Sequence, residues 1–378
     1  MFVCAFWAIV FGIDYRNLTL NKRILCGFMV VATSLYFGHF VVFNHLYHWV
    51  PVTDTIYSLA TLSVYPIFLL YIISLTGKLR RRDILILMPG ILFAVVIGVC
   101  YALLPTEKLY EFVVDCHYEE KMEAVDLISH ISLVVHRLMK PVIALQVVLV
   151  LYFGFRKLTD FKRKVEDFYS NTAHKDLSEI RHLLVFFVIT SCLSVVADLT
   201  GRAFFVDSTL LMTLVLAPFS IMLFAIGYVG YHQGFTIDDL MVEMKDIEVG
   251  EEQETKEAKA QNLEIRKKLL VEIRHLMEEE HLFLQNDLKL SDIAEHLHTN
   301  RTYVYEALKL MEEEGVTSFN DYVNRYRIEY SLQLFKENPE ESIEQIAYAC
   351  GFSSKTTFYV NFKKVTGMTP KQYLKNEG

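Results

Sequence analysis

Charge is the scarcest resource of this 378-residue chain: Asp, Glu, Lys and Arg make up 22% of it against 53% hydrophobic residues, and the mean hydropathy is +0.28. The shortage is uneven, because the apolar residues are heaped before about residue 233 and the charges after it. A single water-soluble domain is excluded by that split, and two different solvents are implied. Six cysteines do not make a disulfide framework: Cys4, Cys26, Cys100 and Cys192 sit in apolar runs, and Cys116 has no obvious outer-loop mate. Met1–Ile13 lacks both a basic leader and a small-residue cleavage site, so it is expected to stay on the chain. Also missing are a His-Glu-x-x-His helix, a glycine-rich phosphate loop and a nucleophile elbow. No enzyme, no catalytic residue and no cofactor is therefore expected.

What is present, first, is length of apolar helix. A bilayer core of roughly 30 Å takes about 20 helical residues at about 1.5 Å each. Six stretches meet that demand: Ile24–Tyr47, Thr55–Gly77, Ile84–Pro105, Leu138–Phe155, Leu183–Gly201 and Thr209–Gln233. Met1–Ile13 is a shorter seventh, reaching only about 20 Å as a helix. Lys and Arg resist transfer across the membrane, and the short loops alternate: three in Arg16–Arg23, none in His48–Asp54, four in Lys78–Asp83, seven in Arg156–His182. Thr106–Glu123 holds two against six acids, and Arg202 stands alone before Thr209. Seven crossings put the N-terminus outside and the C-terminus in the cytoplasm. The expectation is a multi-pass protein of the inner (cytoplasmic) membrane with lipids as a partner; Arg137 and Lys140, near the outer face, weaken the pattern without reversing it.

Ionisable groups in hydrocarbon are costly, so each marks a function by default. Counted from inner ends at Ile24, Phe155 and Leu183, His39, Lys140 and Asp198 each lie 15 residues up a straight helix, or about 22 Å. They share one outer-leaflet layer, with Asn44, His45 and His48 a turn or more higher. That layer reads as a pocket for an unidentified small-molecule or membrane signal. The plainer reading has Lys140 and Arg137 snorkelling to headgroups, Asp198 capping a helix end and the histidines lying in the interfacial zone. His45 and His48 have no acidic or Cys ligand placed beside them, so no metal is expected.

Residues 1–233 thus form a transmembrane sensor domain, and residues 234–261 turn abruptly to Glu and Lys around Gly250, a charged cytoplasmic linker. Leu263, Leu269, Ile273 and Leu276 then recur near helical spacing. They fit burial against the following domain, or a helical contact between two copies of the chain in a homodimer.

Residues 262–378 hold a degenerate repeat, seen when the sequence is slid on itself by 53 or 54 residues. Leu290, Ile293 and Ala294 fall over Ile343, Ile346 and Ala347. Arg301, Thr302, Val304, Tyr305, Leu308 and Lys309 fall over Lys355, Thr356, Phe358, Tyr359, Phe362 and Lys363. Each copy reads as a short apolar-periodic helix, a tight turn, a polar cap (Asn300, or Ser353 with Ser354) and a second helix. The second helix packs Val304 and Leu308, or Phe358 and Phe362, inward. Arg301, Thr302, Tyr305 and Lys309, and in the second copy Ser354, Lys355, Thr356, Tyr359, Lys363 and Lys364, are left for base edges and phosphates of a major groove. Ser342 with Gln345 makes a capping box, Gly351 suits a left-handed helix end, and Pro370 opens a last helix.

The run Ser342-Ile343-Glu344-Gln345-Ile346-Ala347-Tyr348-Ala349-Cys350-Gly351-Phe352-Ser353, with Phe358, Phe362-Lys363-Lys364, Gly367 and Thr369-Pro370-Lys371-Gln372-Tyr373, resembles the signature of AraC/XylS-type transcriptional regulators. The likeness covers about Leu288–Tyr373, including Asn324–Arg327 of the joining helix. It implies an all-α domain whose two helix-turn-helix units meet successive major grooves of promoter DNA, with RNA polymerase as a further partner. Glu306 and Val360 stand where the family often has Arg, Lys289 replaces a usual hydroxyl cap, and two extra residues fall within Met311–Glu314. From Asn262 onward, 15 basic residues face 19 acidic ones, yet Ser353–Lys375 holds five Lys and no acid. The second unit is therefore expected to carry most of the salt-dependent affinity.

The whole chain reads as all-α: a polytopic bundle of six to seven spans, a charged linker and a double helix-turn-helix domain, together a one-component regulator controlled by a signal in or across the membrane. A transporter or channel, or a membrane enzyme acting on lipid, with a DNA-binding tail is the rival. Inverted halves and a dense set of intramembrane charges, which those would need, are not seen.

Overall fold

The computed structural model describes residues 1–117, 126–173, 175–200, 209–244 and 256–377, with the side chains at 43, 115–117, 194–200, 209–216, 256–262, 313–314 and 377 outside that description. The elements are helical, and among the described residues the one β pairing is an isolated bridge between Tyr169 and Lys289. Two compact units are formed, one by Met1–Leu158 with Ser178–Gly234 and one by Thr159–Leu177 with Phe235–Gly378. The segment Thr159–Leu177, read from sequence as part of 1–233, thus packs with the C-terminal residues.

The first unit holds α1 (Phe2–Ile13), α2 (Leu20–Phe43), α3 (Val50–Thr76), α4 (Met88–Leu103), α5 (Thr106–His117), most of α6 (Leu127–Phe168), α7 (Ser178–Thr200) and α8 (Thr209–His232). Among the described residues four helical segments, Leu20–Val42, Tyr47–Thr76, Arg81–Leu103 and Leu127–Phe168, are long and apolar enough to cross a membrane. The stretch expected to span from Ile84 starts as a 3₁₀ turn, Arg81–Leu87, and becomes α-helical at Met88, where Pro89 falls in the first turn. Apolar side chains line the outside as well as the inside: Ile91, Leu92, Val95 and Val99 of α4 and Leu145, Val148 and Tyr152 of α6 are exposed. So large an apolar exterior suits hydrocarbon rather than water. Inside, Trp7 of α1 meets Phe224 and Tyr231 of α8 at ring distances of 5.6 and 6.1 Å. Gly227 permits that approach, since a Cβ there would overlap the indole. Phe68 of α3 lies between Phe28 of α2 and Phe187 of α7, at 5.8 and 5.1 Å.

The second unit holds the end of α6, then α9 (Ile237–Met244), α10 (Lys256–Glu278), α11 (Leu290–His296), α12 (Arg301–Lys309), α13 (Phe319–Glu337), α14 (Ile343–Ala349), α15 (Lys355–Thr366) and α16 (Pro370–Glu377). Helices α11–α12 and α14–α15 are the two expected helix-turn-helix pairs, and α13 joins them. Leu269, Ile273 and Leu276 of α10 are buried in this unit, whereas Leu263 is exposed. On the joining helix Phe319, Tyr322 and Val323 are buried, and Tyr326 and Leu332 partly so. The second pair closes over Ile346, Ala347, Cys350, Phe352, Phe358 and Phe362, roofed by Ile328 and Phe335 of α13.

Candidate nucleic-acid interface

Local chemistry sets where each reading helix starts. The Asn300 side-chain oxygen accepts the Tyr303 N–H at 3.0 Å, and Ser354 Oγ accepts the Thr357 N–H at 3.2 Å; of the two serines expected to cap the second helix, Ser354 is the one that does. Ser342 and Gln345 form the capping box in both directions, at 2.9 and 3.2 Å. With Lys289 in place of a hydroxyl cap, the Asp292 carboxylate instead accepts the Lys289 N–H at 2.8 Å. The turn between α14 and α15 depends on Gly351, at φ +83°, where a Cβ would come 2.7 Å from the Leu284 carbonyl oxygen. The extra residues at 311–314 are taken up in a 3₁₀ turn that ends at Gly315, also left-handed.

Helix α15 presents an open face. Lys355, Thr356, Val360, Lys363 and Lys364 are exposed, while Phe358 and Phe362 are fully buried. Lys355 lies 3.5 Å from Glu344, an exposed pair of little energetic weight. Val360 sits among the lysines with an apolar surface suited to a thymine methyl. Two residues expected to read DNA also have partners within their own domain. The half-buried Tyr359 packs against the core of its own unit, with its hydroxyl buried. Lys364 Nζ reaches Asp321 of α13 at 2.7 Å, a buried carboxylate that also meets Arg325 at 3.2 Å. Burial raises the Asp321 carboxyl, but the Lys364 hydrogen bond, the Thr317 N–H and the Lys364 and Arg325 charges outweigh it and hold the group below its ordinary range.

Helix α12 is different. Arg301, Thr302, Tyr305 and Lys309 are all half-buried. Arg301 donates from Nη1 to the Val242 carbonyl at 2.8 Å, with its Nε 3.8 Å from the Glu243 carboxylate. The Tyr305 ring stacks on Phe168 at 5.8 Å and 5°. Lys309 lies over the Tyr305 ring at 4.5 Å and 3.2 Å from Glu306, which also pairs with Arg266 of α10 at 3.4 Å.

The organising residue that sequence reasoning missed is Arg327, named only as part of the joining-helix motif. Its side chain is buried; Nε donates to Phe283 O at 2.7 Å and Nη2 to Gln285 O at 2.6 Å, with Ser170 Oγ at 3.3 Å. Burial pulls its ionisation down to about 10. The guanidinium gathers the turn before α11 and the segment after α6 onto α13. Asn171 continues that seam, accepting from Ser353 Oγ at 3.0 Å and donating to Asn286 Oδ1 at 3.0 Å. Only the burial of a cation on a core stripe could have signalled it.

In the first unit, His39 meets Tyr57 of α3 edge to face at 5.0 Å. Asn44 donates to Phe40 O at 2.8 Å at the end of α2, and His45, at φ +54°, lies 3.3 Å from the Tyr47 hydroxyl. Lys140 is on the exposed side of α6, and the Asp198 side chain lies outside the described residues. The buried polar cluster is another one. Asp54 of α3 accepts from the Tyr101 hydroxyl of α4 at 2.8 Å and faces His136 Nε2 of α6 at 2.9 Å, while His136 Nδ1 faces Ser132 O at 2.7 Å. Both ring nitrogens thus meet oxygen acceptors, an arrangement that satisfies an imidazolium against a carboxylate. On the same helices Ser58 and Thr61 of α3, and Ser132 and Gln146 of α6, carry buried oxygens without a hydrogen-bond partner. Sequence reading passed over Asp54 and His136 because each lies close to a loop.

Residues 293–376 match the family described as a helix-turn-helix domain. Over 84 residues the chain is 39% identical to the TCP pilus virulence regulatory protein of Vibrio cholerae, covering 22% of this chain and 29% of that protein. It is 33% identical over 88 residues to the melibiose operon regulatory protein of Escherichia coli, 23% of this chain and 28% of the relative. A third relative, the transcriptional regulatory protein HptR of Staphylococcus aureus, is 35% identical over 91 residues, 24% and 34% of the two chains. The chain thus spans about a third or less of the curated relatives it matches. No solved structure matches it. These likenesses and the two helix pairs define the class of the C-terminal part: a helix-turn-helix domain of the AraC type, as found in transcriptional regulators that bind DNA.

Proposed function

We propose that this chain is a membrane-anchored one-component transcriptional regulator, which binds promoter DNA in a sequence-specific way through two helix-turn-helix units and is controlled by a signal received in the helical bundle. The observation that carries the reading is the union, in one chain, of the double helix-turn-helix unit with helices, four among the described residues, long and apolar enough to cross a membrane. On this reading α15 supplies the phosphate contacts, because Lys355 and Lys363 stand free of the core on a helix that carries no acid. The bundle is a sensor, with six to seven crossings and the C-terminal part in the cytoplasm. The layer at His39, Asn44, His45 and Lys140, and the Asp54–His136–Tyr101 cluster, are two places where a ligand or membrane state could favour one helix packing over another. Such a signal acts only through its different affinity for the two packings.

The test is genome-wide mapping of DNA bound by the full chain, with membrane fractionation of the same cells. Enrichment of promoter fragments, lost on deleting Ser353–Gly378, together with recovery of the protein in the membrane fraction, is expected. Enrichment from a soluble pool would remove the anchor; absence of enriched fragments would remove the regulator.

A further inference from the structure

The two reading helices are copies of one motif, yet one is open and the other is covered. On α15 the leading lysine and the lysine two turns later are exposed. On α12 the matching positions are held by the chain itself. Arg301 is bound by the last turn of α9 through Val242 O and Glu243, and Lys289 Nζ reaches the same carboxylate at 4.0 Å. Tyr305 is stacked on Phe168, a ring only 4% exposed. Glu243 is itself 8% exposed, so this carboxylate is packed into the contact rather than waving over it. To Arg301 and Lys289 it offers the anion that a backbone phosphate would offer. A major groove about 12 Å wide admits one helix. It does not admit α12 with a second helix and an aromatic ring on its flank.

We infer that α9 and residues 159–177 are an internal occupant of the first reading helix, and that duplex DNA must displace them to engage both units. The inference rests on the regulator reading above and adds how the site is governed. Each cover is tied in sequence to the apolar helices: α9 follows α8 after only residues 233–236, and residues 159–177 are the last turns of α6 with its link to α7. A change in the packing of those helices therefore reaches α12 through the two pieces that hide it. The second unit, left open, holds the chain on DNA weakly; release of the first gives the full, two-groove grip.

The experiment uses the full chain in detergent micelles. Its probe is a duplex recovered from a random-sequence pool by repeated selection on that protein. Glu243→Ala and Phe168→Leu remove the cover without touching the groove-facing side chains, and together they are expected to tighten binding about tenfold, as the fraction of competent molecules rises. Unchanged affinity in variants that melt at the wild-type temperature would overturn the inference and leave the regulator reading intact, provided Lys363→Ala still weakens binding. A second measurement needs no variant: hydrogen exchange at residues 237–244 of the wild-type chain is expected to speed up when the duplex is added. Unaltered exchange there, with the duplex bound, counts equally against displacement. Should no duplex be recovered by any form of the protein, the reading beneath the inference falls, and the inference with it.

Discussion

Lys363 and Lys364 are neighbours in sequence with opposite duties. Lys363 is exposed on the open face of α15, whereas Lys364 closes a charge-assisted hydrogen bond onto the buried Asp321. Lys363→Ala is expected to reduce the slope of log affinity against log salt by about 0.9 with stability unchanged. Lys364→Ala is expected to leave that slope nearly intact and to lower the melting temperature. Because the folded Asp321 carboxyl lies below its ordinary range, its contribution is full above that range and is lost as pH falls from there through the lower folded value. Asp321→Asn is therefore expected to flatten the acid limb of a stability-against-pH curve, read by thermal unfolding from neutral to acid pH. The pair formed by the buried Asp54 and the half-buried His136 allows a sharper test. Asp54→Asn or His136→Gln alone weakens a charge-assisted contact at a part-buried site and is expected to cost about 1–2 kcal/mol. The double variant is expected to cost clearly less than the two together, by thermal unfolding in detergent. Side chains such as Lys355 and Lys363 were legible from the repeat because helical spacing alone places them. Asp321, Arg327 and His136 were not, since their partners lie 43, 157 and 82 residues away.

At the scale of elements, caps and turns were the legible part, because they are settled within four residues. The Ser342–Gln345 box, the Asn300 cap and the left-handed Gly351 all stand where sequence put them. Gly351→Ala would place a methyl group in a left-handed backbone and against the Leu284 carbonyl. A loss of about 2–3 kcal/mol is expected, read as a lower denaturant midpoint with an unchanged slope. The reach of α6 was not legible. Apolar content outlines Leu138–Phe155, whereas the helix runs Leu127–Phe168, since helix formation continues through polar turns wherever backbone bonds propagate. Its last turn carries Phe168, whose partner Tyr305 was read as a DNA contact. Periodicity shows which face of α12 is polar; it does not show what covers that face.

For the whole molecule, the skew in composition reads as two bodies needing different surfaces, and the chain packs as two compact units. Where the chain passes between these units was not legible: Thr159–Leu177 is flanked by apolar helices yet packs with the C-terminal unit. The orientation expected from loop charge has a direct check. In a background lacking Cys116 and Cys192, a membrane-impermeant maleimide applied to intact cells is expected to label Lys108→Cys and to spare Lys78→Cys until the cells are opened. The reverse pattern would place the reading domain outside.

The four residues between α8 and α9 set a further condition on biology. At about 3.5 Å each they stretch about 14 Å, little farther than the width of a single major groove. On the proposed reading, a copy of this protein seated on a promoter would moor that piece of chromosome to the envelope. A target gene relocated deep in the nucleoid should then respond more slowly than the same gene beside a locus already held at the periphery.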